Sequence, residues 1–160
     1  MRLWIAGTGL LLATSLAHAE LYGNARFSFF VDVPPAFSVA DPEPENGDGR
    51  TFHTADNTAD LIAAGGWIID GDFADEIAQT KGFAKENGWT LTYEGKVGAS
   101  SAVFSGEKDG RIFYQKEIAT CAGKAHAGYR LEYPASDKKK YDGVIEGLNA
   151  SLKAGEGSCS

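Results

Sequence analysis

Residues 101–118 read SAVFSGEKDGRIFYQKEI, and this stretch decides the fold. Two runs of alternating polarity, Ser101 to Glu107 and Arg111 to Ile118, flank Asp109-Gly110. Asp-Gly tolerates the positive φ angles of a two-residue turn, so the segment predicts a tight antiparallel hairpin. Downstream, Gly128 to Tyr133 alternates again, with Tyr129, Leu131 and Tyr133 on one face and Arg130 and Glu132 expected to face out. Pro134 closes that strand. From Ser136 onward, Tyr141, Val144, Leu148 and Leu152 recur at helical spacing and predict an amphipathic helix lying on the sheet.

Upstream of the hairpin, Trp89, Leu91 and Tyr93 alternate with Thr90, Thr92 and Glu94, a strand entering a meander. Asn87-Gly88 separates it from a helix that Asp72 can cap, with Asp75 and Glu76 in its first turn and Phe73, Ile77, Thr80 and Ala84 as its core stripe. Arg50 to Thr54 and Asp60 to Ile69 read as strands, the second apolar throughout and expected to be central. Gly65-Gly66 within it suggests a bulge or a close approach. From Arg26, Phe27, Phe29, Val31 and Val33 alternate with polar residues, and Ala36 to Val39 is expected to pair back on that strand after Pro34-Pro35. The whole predicts an α+β domain: an antiparallel sheet of six to eight strands covered by two helices.

The N-terminus carries an address. Met1-Arg2 gives a positive start, Leu3 to Leu16 is uncharged, and Ala17-His18-Ala19 places small residues before Glu20. These are the parts of a secretory signal peptide, with cleavage expected between Ala19 and Glu20 and a single domain over residues 20–160. The apolar run is too short to span a bilayer, and no cysteine follows it for lipid attachment, so no stable membrane anchor is expected after cleavage. Localisation is therefore expected to be periplasmic or secreted. In an oxidising compartment Cys121 and Cys159, the chain's two cysteines, are expected to form a disulfide.

Composition narrows the function classes. With 43% hydrophobic and 23% charged residues, the 160-residue chain is neither disordered nor a polytopic membrane protein. Its formal net charge of −7, one unit more negative without Arg2, opposes nucleic-acid and anionic-lipid surfaces.

The motifs Tyr22-x-Asn24-x-Arg26-Phe27-x-Phe29-x-x-Asp32-x-Pro34, Asn46-Gly47-Asp48-Gly49-x-x-Phe52, Ser105-Gly106 through Phe113-Tyr114-x-Lys116, and Leu131-x-Tyr133-Pro134 occur in that order. In this series the chain resembles small exported bacterial proteins of the PsbP-like (DcrB-like) α/β/α sandwich class. The resemblance implies that sandwich fold and a non-catalytic scaffold that binds a partner. It transfers no functional residues, because the matching positions are turn and core types.

No catalytic, cofactor-binding or metal-ligating set is expected from the residues themselves. Gly98-Ala99-Ser100-Ser101-Ala102 lacks the second glycine of a nucleophile elbow and leads into a strand where a helix is required. Asp70-Gly71-Asp72 opens like a calcium loop, but Ala74 and Lys81 stand where ligands are needed. A small hydrolase or metal-binding protein would have to use His53 or His126, the alternative to a binding protein. Asp41, Glu43, Glu45 and Asp48 crowd a Pro-stiffened loop, and Lys138-Lys139-Lys140 lies near a helix start, where the dipole disfavours cations. These seven residues are the candidate partner surface. The expected function is a soluble periplasmic accessory protein acting through a protein or envelope partner, with an inhibitor or immunity-type protein as a variant.

Overall fold

The structure is a computed structural model that describes residues 18–156 and 159. Ten strands and two helices follow one another: β1 Glu20–Asn24, β2 Phe29–Val33, β3 Val39–Ala40, β4 Gly49–His53, β5 Asp60–Trp67, α1 Phe73–Glu86, β6 Thr90–Glu94, β7 Ser101–Lys108, β8 Arg111–Thr120, β9 Ala125–Pro134, α2 Lys138–Ser151 and β10 Lys153–Ala154. The hairpin of residues 101–118 forms as its sequence dictates. Asp109 and Gly110 both take positive φ, and Ser101 to Lys108 pairs with Arg111 to Ile118 without slippage.

Seven strands form one antiparallel sheet in the order β3-β4-β5-β9-β8-β7-β6, and β1-β2-β10 form a second. One face of the large sheet packs against α2 and the small sheet. The rings and aliphatic groups of Phe29, Val31, Tyr129, Leu131, Tyr133, Tyr141 and Leu148 fill the space between them, all nearly inaccessible. The opposite face carries α1, whose Phe73, Ile77 and Ala84 meet Ala102, Phe104 and Phe113. The result is α+β with helices on both faces of an antiparallel sheet.

α1 begins as its sequence predicts. The Asp72 carboxylate accepts from the backbone N–H groups of Ala74 and Asp75, and the Asp75 carboxylate accepts from Asp72 N–H, a reciprocal cap. Asn87 caps its other end and Gly88 takes positive φ. Cys121 and Cys159 are disulfide-bonded, which ties the C-terminal tail to the tight connection between β8 and β9.

Several local expectations give way to tertiary context. The strand expected from Arg26 starts at Phe29, because Ala25 to Ser28 form a turn closed by Asn24, whose side-chain oxygen accepts from Phe27 N–H at 3.0 Å. That turn joins β2 to β1, a strand not anticipated from its short Gly-containing run. Val39 and Ala40 pair with β4 and not with β2. β5 stops at Trp67, leaving Ile69 exposed, and the centre of the sheet belongs to β9. A register shift between Leu91 and Tyr93 breaks the alternation of β6, so Tyr93 is largely exposed.

Candidate functional site

Antiparallel register places three rows of residues on the α1 side of the large sheet. They run Thr51-Ile62-Arg130-Gln115-Phe104, Gly49-Ala64-Gly128-Glu117-Ala102, and His53-Asp60-Glu132-Phe113-Gly106. α1 covers the end of these rows that holds Ala102, Phe104 and Phe113. At the β4–β5 end, Thr51, Ile62 and Ala64 instead form the floor of an open cleft of about 370 Å³, walled by the 41–48 loop. A second cleft of about 470 Å³ lies where Phe83 of α1 and the capping residue Asn87 overhang Gln115 and Arg130. Ile62 and Arg130 are directly paired across β5 and β9, so the two clefts adjoin.

A chain of polar side chains crosses the floor between them. His126 Nδ1 lies 3.1 Å from Glu117 Oε2, Gln115 Nε2 donates to Glu117 Oε1 at 2.7 Å, and Arg130 Nη1 donates to Gln115 Oε1 at 3.2 Å. Arg130 Nε then donates to Glu132 at 2.6 Å, while its guanidinium stacks 3.8 Å from the centre of the Phe113 ring. Residues expected to face out are therefore half-buried under α1. The chain fits because the sheet is glycine beneath it: a Cβ on Gly128 would stand 2.8 Å from Glu117 Oε2, and one on Gly66 2.7 Å from His126 Nε2. At Gly65-Gly66 the ladder continues unbroken, so these glycines serve close side-chain approach and make no bulge.

Both histidines sit between carboxylates. His53 Nδ1 is 2.8 Å from Asp60 and Nε2 3.1 Å from Asp41, and these two bonds raise its pKa. Arg111 holds the other Asp60 oxygen at 3.3 Å. For His126, burial pulls the pKa down, but the hydrogen bond and charge of Glu117 and the charge of Glu76, 3.5 Å away on α1, outweigh it and the net shift is upward. Both ring nitrogens of each histidine are thus engaged by carboxylates. Among the described residues no group of three or more His, Cys, Asp or Glu side chains is arranged to hold a metal ion.

Asp41 and Asp48 line the open cleft, Asp41 through its contact with His53 and Asp48 through an ion pair with Arg26 at 3.2 Å. Glu43 and Glu45 are exposed on the same loop. Lys138, Lys139 and Lys140 occupy the exposed first turn of α2 on the other side of the sheet, where Lys138 pairs with Asp142 at 3.2 Å and Lys140 lies over the Tyr141 ring. The acidic loop and the lysine run thus belong to different faces. Ala19 and Glu20 stand at the start of β1, and the expected leader before residue 18 lies outside the described residues. Gln115, Glu117, Arg130 and Glu132 were legible only as polar positions on strands; their complementary charges on neighbouring strands are the signal that joins them.

No family model matches the sequence, and no curated protein matches it. Solved structures do. The cyanobacterial PsbP protein CyanoP from Synechocystis sp. PCC 6803 superposes with a TM-score of 0.62 at 9% identity, over 91% of this chain and 98% of that one. The chain has the Mog1/PsbP-like fold. The Ran-binding protein Mog1p of Saccharomyces cerevisiae matches with a TM-score of 0.60 at 10% identity, over 87% of this chain and 96% of that one. A point variant of Mog1 gives 0.59 at 10% identity, over 85% and 95%. The sandwich implied by the order of sequence motifs is therefore the fold observed, shared without detectable sequence kinship. Among the described residues no helix is long and apolar enough to cross a membrane.

Proposed function

We propose that this chain is a soluble periplasmic accessory protein that binds a protein or envelope partner and catalyses no reaction itself. The observation that carries the proposal is the half-covered sheet: Thr51, Ile62 and Ala64 form a recessed floor beside the acidic loop, with no helix of the described residues over it. The fold supports it, since Mog1p, with the same architecture, is a Ran-binding protein. Export rests on the basic, apolar and small-residue segments before Glu20, and the Cys121–Cys159 bridge suits an oxidising compartment. In the alternative reading as a hydrolase or metal-binding protein, His53 and His126 would first have to be freed from the carboxylates that engage both ring nitrogens of each.

Mass spectrometry of the protein recovered from the periplasm, under native and then denaturing conditions, tests this reading. The expected result is a native complex that dissociates into a second polypeptide and a chain with the mass of residues 20–160 less two hydrogens. A chain retaining its first 19 residues contradicts export. A chain that carries a metal or small cofactor and no polypeptide contradicts the binding role.

A further inference from the structure

On the α2 side of the large sheet the uncovered end is the opposite one. β6, β7 and β8 extend beyond α2, and between them and the helix lies a cleft of about 280 Å³, separate from the 41–48 loop. Tyr93, Tyr114 and Tyr133 line it together with the carboxylates of Glu107 and Asp142 and the ammonium of Lys138. Register explains the convergence. Tyr133 pairs with Ile112 and Ile112 with Glu107, while Tyr114 pairs with Ser105 and Ser105 with Tyr93, so these residues share one face. Lys138 and Asp142 stand one turn apart on the facing edge of α2.

We propose that this cleft binds a small organic cation, an alkylated ammonium or guanidinium group. Two observations converge on a positive, partly apolar ligand. The tyrosines present aromatic surface, which attracts cations through its quadrupole. Tyr133 stacks on Tyr141 at 4.6 Å and Tyr114 on Tyr129 at 6.2 Å, so each ring is fixed from the core side and lines the cleft with what remains. The charges of the lining leave one negative unit over: Lys138 is taken by Asp142, and Glu107 makes no ion pair among the described residues.

The cation could reach this cleft as a free molecule or on a partner's lysine or arginine side chain. Heteronuclear NMR titration of the folded protein separates these sources and tests their shared chemistry. The probes are choline, its uncharged isostere 3,3-dimethylbutan-1-ol, and Nα-acetyl-arginine methylamide. Choline or the arginine amide is expected to shift the resonances of Tyr93, Ser105 and Glu107, with the neutral isostere binding about tenfold more weakly. Tighter binding of choline assigns the free molecule, and tighter binding of the arginine amide assigns the side chain. Glu107→Gln and Tyr93→Ala alter exposed side chains, so both variants should keep the native spectrum while weakening the cation about fivefold. Equal binding of the neutral isostere overturns the proposal. So does the absence of localised shifts with either cation, or unchanged cation affinity in both variants.

Discussion

The two faces of the seven-stranded sheet are built on opposite terms. Toward α2 and the small sheet the interior is a continuous packing of Phe29, Val31, Tyr129, Leu131, Tyr133, Tyr141 and Leu148, with rings stacked at 4.6 and 6.2 Å. Toward α1 the apolar cluster is small, and beside it runs the polar chain from His126 to Glu132. Burying apolar area is what chiefly stabilises a domain, whereas buried polar groups about break even when every hydrogen bond is made. The α2 side therefore carries stability. The α1 side, less dependent on complete coverage, can leave the β4–β5 end open for a partner.

The largest expected effect is on the α2 side. Phe29→Ala should cost about 4 kcal/mol in urea unfolding, more than Ile77→Ala under α1, and the reverse order would break the comparison. Next comes the bridge. Replacing Cys121 and Cys159 by serine opens a loop of 38 residues and should lower stability by about 2–4 kcal/mol, with β10 and α2 losing amide protection first.

A smaller effect distinguishes the α1 side by its pH dependence. His53 and His126 both have raised pKa values when folded, so the stability they contribute is complete below the unfolded value of 6.5 and is lost as pH rises through the folded values. Melting temperature should fall on going from about pH 6 to about pH 8, and the double variant His53→Gln, His126→Gln should flatten that slope. A slope unchanged in the double variant would assign it elsewhere. The smallest effect is expected at the open floor, where Ile62→Lys should change stability by no more than about 0.5 kcal/mol.

The sequence made the fold legible wherever local chemistry and tertiary context agree. Asp109-Gly110, the Asp72 cap, Asn87-Gly88 and the stripe Tyr141, Leu148, Leu152 each specify their element without help from the rest of the chain. It failed at the small sheet, because β1 owes its existence to pairing with β2 and to the side chain of Asn24 closing the turn. The site was less legible. Asp41 and Asp48 announce themselves by composition, but the open floor depends on which half of the sheet α1 covers, and no local pattern encodes that. Arg130 and Glu132 read as solvent-facing because period-two alternation separates two faces without saying which one a helix will cover.

The most direct test of the binding role is site-specific photo-crosslinking in the native cell. A photoreactive residue is placed at Thr51 or Ile62 on the open floor, and at Lys85 on α1 as the control. The account predicts one discrete adduct with a second polypeptide from positions 51 and 62 and none from position 85. Adducts of equal yield from all three positions, or none from the open floor, would contradict it.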